Sequence, residues 1–217
     1  MTQTSDSHAP GEAPHDAPRE FPHERASDVL ARVAEEAPGD RIPLGDLVDA
    51  LGERTFGLVM LVLALPCAIP FLYGVPQIVS IPMVFVAAQM VIGRSALWLP
   101  EGLRARAFAK ADYVAMIARA RPWLVRFETL ARPRLVALTT RPLDRVVGLA
   151  MLIASLSIAV PLPLTNTVPG IGVAILAVGL IERDGLLVVA GALVALVWIG
   201  FLVFAGTTVV SVILGLF

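Results

Sequence analysis

Few side chains in this 217-residue sequence are equipped for chemistry, and their placement argues against most kinds of it. The three histidines, His8, His15 and His23, all lie near the N-terminus. No cysteine or acidic cluster at ligand spacing accompanies them, so they read as solvated tail residues rather than as a metal site. The single cysteine, Cys67, has no second thiol to pair with and reads as a small apolar residue. The long apolar stretches hold only uncharged polar groups, among them Tyr73, Ser80, Gln89, Ser155, Ser157, Thr165, Asn166 and Thr167, then Thr207, Thr208 and Ser211. Without a carboxylate, His or Lys in those stretches, general acid–base catalysis or a proton relay has no carrier. No catalytic residue, cofactor or metal is expected, and no enzyme. Asn166, flanked by Thr165 and Thr167, together with Gln89 and Tyr73, is best suited to contact a polar substrate. For Gln89 a hydrogen bond between helices is the simpler role.

The elements that must position these groups follow from composition. Hydrophobic residues make up 57% of the chain and charged residues only 16%, against about 45–50% and about 25% in soluble domains. Residues 55–93, 146–181 and 185–217 contain no Asp, Glu, Lys or Arg. Each block exceeds the roughly 20 residues of a spanning helix. All 17 Lys and Arg fall in residues 19–54, in 94–145 or at Arg183, which places those stretches together on the cytoplasmic side. The first two blocks must then enter and return as hairpins, and the third starts a C-terminal transmembrane segment. The N-terminus is predicted to be cytoplasmic by the same charge rule, and no apolar signal core follows Met1.

The first two blocks are related. Arg54 to Pro70 (RTFGLVMLVLALPCAIP) matches Arg145 to Pro161 (RVVGLAMLIASLSIAVP) at 8 of 17 positions without a gap, including Gly57 with Gly148 and Met60 with Met151. Prolines interrupt both blocks, at Pro66, Pro70 and Pro76 in one and at Pro161, Pro163 and Pro169 in the other. Proline removes a donor and breaks a helix ladder. The arms between the breaks and the charged ends are about 14 to 15 residues, roughly 21 to 23 Å long, short for a hydrocarbon core of about 30 Å. Either part of each turn completes the span, or the hairpins are re-entrant, with irregular backbone held among other helices. Paired broken hairpins are also the pointer to a transporter-like binding site. The stretch between the copies has no apolar run long enough to cross, so the repeat is predicted to be parallel.

Six segments follow. Residues 1–26 form an acidic Pro-rich disordered tail and 27–54 form cytoplasmic amphipathic helices, with Leu44, Leu47, Val48 and Leu51 on one face. Residues 55–93 are the first membrane hairpin and 94–145 a basic interfacial connector. Residues 146–182 are the second hairpin and 183–217 the C-terminal transmembrane segment. The connector interleaves Arg with Trp98, Phe108, Met116, Trp123 and Phe127, a pattern that favours anionic membrane lipid over nucleic acid. Arg132 and Arg134 are its candidate lipid contacts, with topology-setting charge as the plainer role. Arg54, Arg145, Glu182, Arg183 and Asp184 form a candidate rim cluster, either a structural clamp or part of a gate. The fold class is therefore an all-α integral membrane protein.

Taken in order, ALGERTFG, the first hairpin, AAQMVIGRSALWLP, ARPRL, VPLPLTNTVPG and GLIERDGLLVVAG resemble the exopolysaccharide synthesis ExoD family of bacterial membrane proteins. The resemblance rests on Gln89, Gly93, Trp98-Leu99-Pro100, Arg132-Pro133-Arg134 and Arg183-Asp184-Gly185 taken together. It implies a multi-pass protein of the bacterial inner membrane tied to exopolysaccharide synthesis or export, and supplies no catalytic residues. Two roles are open on that basis. One is to move or present a solute or lipid-linked precursor at the hairpins. The other is a non-transporting scaffold or regulator of polysaccharide synthesis enzymes, with those proteins as partners and homo-oligomers allowed.

Overall fold

The computed structural model describes residues 26–37, 39–72, 74–130, 141–160 and 166–215. Within them the chain forms helices α1 (Ala26–Glu36), α2 (Leu44–Leu51), α3 (Arg54–Ala68), α4 (Val75–Ile92), α5 (Glu101–Arg104), α6 (Lys110–Leu130), α7 (Arg141–Ala159), α8 (Thr167–Ile181) and α9 (Gly185–Gly215), with two three-residue strands, β1 (Arg41–Pro43) and β2 (Ala107–Ala109). The architecture is helical, as the apolar blocks require. The exception is the β1–β2 ribbon, antiparallel with Ile42 opposite Phe108.

That ribbon ties together two segments which the sequence reading keeps apart. Ile42 and Leu51 pack with Val29, Leu30 and Ala34 of α1 and with Tyr113 of α6 in a small core of their own. Tyr113 donates from its hydroxyl to the Leu30 carbonyl at 3.0 Å, and Lys110 Nζ donates to the Ala37 carbonyl at 3.1 Å. Burial pushes the Tyr113 phenol up to about 12, because the phenolate would lose its hydration there. Arg104 pairs with Asp49 across the same unit. The start of the basic connector is thus docked on the N-terminal helices.

A 118° bend separates α2 from α3. Gly52 makes it with φ 55° and ψ −128°, a conformation that only glycine reaches without a steric cost. Thr55 then locks the corner, its hydroxyl donating to the Val48 carbonyl at 3.1 Å.

The second, larger core is built by α3, α4, α7, α8 and α9. Here the two copies pack crosswise: α3 lies against α8, and α7 against α4. Equivalent glycines permit both approaches. A Cβ on Gly57 would lie 2.8 Å from Ile181 Cγ1 and 3.0 Å from the Ala177 carbonyl; one on Gly148 would lie 2.7 Å from Met90 Cβ and 3.0 Å from the Val91 nitrogen. Small residues that admit close backbone approach are the usual glue between apolar helices. The buried positions also repeat at the offset of 91: Phe56 with Val147, Met60 with Met151, Ala64 with Ser155 and Cys67 with Ile158.

These contacts fix direction. The start of α3 meets the end of α8, the start of α7 meets the end of α4, and Gly170 at the start of α8 meets Cys67 and Ala68 at the end of α3. Each pairing is antiparallel, so α3 runs with α7 and α4 with α8. The two hairpins are related by a pseudo-two-fold axis along the helices, a parallel repeat with all four charged ends together.

The hairpin breaks fall beside the prolines more than at them. Pro66 lies inside the last turn of α3 and Pro70 in the turn that follows. Pro76 and Pro169 lie in the first turns of α4 and α8, where a missing N–H costs nothing. The first break is therefore residues 69–74, shorter than the proline spacing implies, and α4 gains length from it. Pro161 and Pro163 lie outside the described residues. With 15 and 18 residues in α3 and α4, and 19 and 15 in α7 and α8, the arms measure about 22, 27, 28 and 22 Å at about 1.5 Å per residue.

Among the described residues two helices are long and apolar enough to cross a membrane, Val75–Ile92 and Gly185–Val212; the bent pair α2 and α3 makes a third candidate, as a broken span or re-entrant loop. Their outer faces carry exposed Val62, Leu65, Ile78, Ile81, Leu196 and Phe204. Such a belt suits lipid, not water.

Candidate functional site

At the charged end of the four arms lies a cavity of about 140 Å³. Each repeat contributes alike to its wall. From the first come Glu53 and Arg54 at the start of α3 and Gly93, Arg94 and Ser95 just past α4; from the second come Asp144 and Arg145 in α7 and Arg183 just past α8. Phe56, Met90 and Leu180 close its apolar floor. The pairs Glu53-Arg54 and Asp144-Arg145 stand at the same offset of 91 as the rest of the repeat.

The ends of the second arms are built alike as well. Gly93 is left-handed at φ 83° and Arg94 N–H donates to the Gln89 carbonyl at 3.1 Å; Arg183 is left-handed at φ 52° and Asp184 N–H donates to the Gly179 carbonyl at 2.9 Å. Both are helix-closing motifs of the kind that normally uses glycine. Gly93 has a second reason to lack a side chain, since its Cβ would lie 2.6 Å from Arg145 Nε. Arg145 therefore crosses from the second repeat onto the first.

The predicted rim cluster is divided by the structure. Arg54, Arg145 and Arg183 line the cavity. Asp184 caps α9, its Oδ1 accepting from Leu186 N–H at 2.9 Å and Leu187 N–H at 3.4 Å, a cap of about 1 kcal/mol. Glu182 is half-buried in the same turn.

Gln89 and Asn166 do not meet. Gln89, 5% exposed, sits in the last turn of α4, near the cavity. Its Nε2 donates to the Trp98 carbonyl at 3.2 Å and its Oε1 accepts from Trp98 N–H at 2.7 Å. Phe85 completes the clamp, its ring centroid 5.9 Å from that of Trp98. Instead of joining two helices, the amide pins the loop after α4.

The model of the family described as "Exopolysaccharide synthesis, ExoD" matches residues 26–204. The chain belongs to the exopolysaccharide synthesis ExoD family. It is 31% identical over 196 residues to the protein slr1875 of Synechocystis sp., covering 85% of this chain and 88% of that one. It is also 31% identical over 170 residues to Protein ExoD of Rhizobium meliloti, covering 76% of this chain and 70% of that protein. No solved structure matches. The ExoD match takes in α1, the ribbon and both hairpins, a longer region than the motifs alone span. Two of the residues on which the sequence resemblance rests, Gln89 and Trp98, are the two sides of one clamp.

The remaining candidate groups lie at the opposite end of the ExoD hairpins, at the tips. Asn166 stands at the N-cap of α8 without making a side-chain cap. It is 7% exposed, and its Oδ1 is buried with no hydrogen-bond partner among the described residues. Gln77, in the first turn of α4, has an Oε1 in the same condition. Sequence reasoning passed over Gln77; its place one residue after Pro76, as Asn166 stands three before Pro169, was the available signal. Thr167 opens α8 and is half-buried. Tyr73, Thr165, Arg132, Arg134 and the three histidines lie outside the described residues.

Proposed function

We propose that this ExoD-family protein serves exopolysaccharide synthesis or export in the bacterial inner membrane, without chemistry of its own, by holding or moving a solute or a lipid-linked precursor between its two hairpins. The observation that carries the reading is a pair of buried amide oxygens, Gln77 Oε1 and Asn166 Oδ1, one at each tip and each without a hydrogen-bond partner among the described residues. A buried acceptor left unpaired costs about 1–3 kcal/mol, and such groups in native proteins ask for a water or ligand. A polar solute passing the tips would supply the missing donors.

The tips are proposed to end inside the bilayer. Arms of about 22 Å in α3 and α8 fall short of a core of about 30 Å. The first tip exposes Ile69, Phe71 and Ile78, which lipid tolerates and water does not. The shared basic end of the hairpins is assigned to the cytoplasm by the excess of arginine beside it.

Replacing Gln77 and Asn166 together by alanine is expected to lower polymer output with unchanged abundance in the membrane, measured as exopolysaccharide per cell beside an immunoblot. Normal output from the double variant would reject the tip site. Normal output combined with loss of a co-purifying synthesis enzyme in variants of the N-terminal unit would favour the scaffold role instead.

A further inference from the structure

We infer that the cavity at the base of the hairpins is a binding site for a phosphate group. Four arginines line it: Arg54 and Arg145 from the starts of α3 and α7, Arg94 and Arg183 from the ends of α4 and α8. Against them stand the carboxylates Glu53 and Asp144, so the wall keeps a formal excess of two positive charges. Among the described residues Arg94, Arg145 and Arg183 form no ion pair. Like charges drawn into one small space repel each other, and an anion between them reverses that cost. Guanidinium is the side chain best matched to phosphate, with planar paired donors and a permanent charge.

Size agrees with chemistry. The volume of about 140 Å³ is close to the roughly 150 Å³ of a protein cavity that accepts a benzene-sized molecule, enough for one small anionic head group. Apolar Phe56, Met90 and Leu180 complete its lining, and Arg94, Arg145 and Arg183 are exposed, within reach of a ligand from outside.

The backbone gives a separate argument. Position 183 closes α8 in the left-handed region, where its counterpart in α4 is Gly93. A side chain there carries a steric penalty that glycine avoids. An arginine held in that conformation, on the wall of a cavity that three other arginines share, is strain placed where its guanidinium is used.

The phosphate can belong to a membrane lipid or to a soluble molecule, since the cavity lies where the apolar faces end and the charged ends begin. The inference deepens the reading of the hairpins as a device that holds a precursor, and rests on it for its biological use. Binding is measured without polymer, so either can fail alone. The test uses the full-length protein in phosphatidylcholine nanodiscs, titrated with inorganic pyrophosphate by calorimetry, and a second set of discs in which phosphatidic acid competes for the protein. Binding of pyrophosphate alone assigns a soluble source; binding of phosphatidic acid alone, or of both, assigns the lipid head group. In either case Arg94→Gln and Arg183→Gly should each weaken binding by about tenfold or more, whereas Arg119→Gln, on exposed α6, should not. Arg183→Gly should melt at the same temperature as the parent or higher without ligand, because glycine relieves the left-handed residue. The inference is overturned if neither probe binds, or if both arginine variants bind as well as the parent.

Discussion

The two hairpins begin alike and end in different company. At their bases they share the acid-arginine pair, the glycine that admits the partner arm and the buried methionine one turn on. Beyond that they part. The second arm of the second hairpin, α8, is covered on nearly every side, by α3, α7 and the added helix α9. The second arm of the first, α4, keeps Ile78, Ile81, Phe85 and Ile92 exposed. A duplicated unit has thus been finished on one side only: α9 makes α8 an internal helix and leaves α4 as the lipid-facing one. The repeat holds where the copies touch each other, and relaxes where each meets its own surroundings.

Substitutions at matched positions can break or sharpen this comparison. The largest effect is expected from the buried methionines, both 0% exposed. Met60→Ala and Met151→Ala should each cost about 2–5 kcal/mol, similar in size, as read from unfolding in mixed detergent. A large loss from only one would mean that the copies do not share one core. Next come the glycines. Gly57→Ala and Gly148→Ala should each cost about 1–3 kcal/mol by overpacking, with Gly148 the more sensitive. Its new methyl meets the Met90 Cβ and the Val91 backbone, while that of Gly57 first meets the movable Ile181 Cγ1. The reverse order would place the closer approach in the other copy.

The smallest effect is expected outside both hairpins. Tyr113→Phe removes the hydroxyl bonded to Leu30, worth about 1 kcal/mol, and should leave the hairpins untouched. Its phenol titrates at about 12 in the folded protein and near 10 unfolded. The folded state therefore keeps a proton that the unfolded state releases, and this share of stability is full below about pH 10 and is lost as pH rises toward 12. The Phe variant should lose less stability across that window in pH-dependent melting of the N-terminal unit.

Much of this arrangement was legible in the sequence, for identifiable reasons. The parallel repeat shows because Arg, Gly, Met and Pro recur at one offset and because arginine is confined to one set of ends. The crosswise pairing of α3 with α8 does not show, since helices apolar on every face carry no stripe to say which neighbour they want. The β1–β2 ribbon escapes too, being three residues per strand, too short for an alternating pattern. At the site, Arg54, Arg145 and Arg183 were legible as a cluster; that they enclose a cavity with Arg94 depends on the turns at Gly93 and Arg183. For Gln89 the sequence points to a polar substrate or to a bond between helices, whereas its amide bonds the backbone of Trp98, nine residues on, a partner that no helical period indicates.

The central claim is that both hairpins enter from one face and bring their arginines to one cavity. Single cysteines at Glu53, Arg94, Asp144 and Arg183, introduced in a Cys67→Ala background and challenged with a membrane-impermeant thiol reagent in sealed vesicles of known orientation, test it most directly. All four should react from the same face. Reaction of Glu53→Cys from one face and Asp144→Cys from the other would make the repeat inverted and contradict the account.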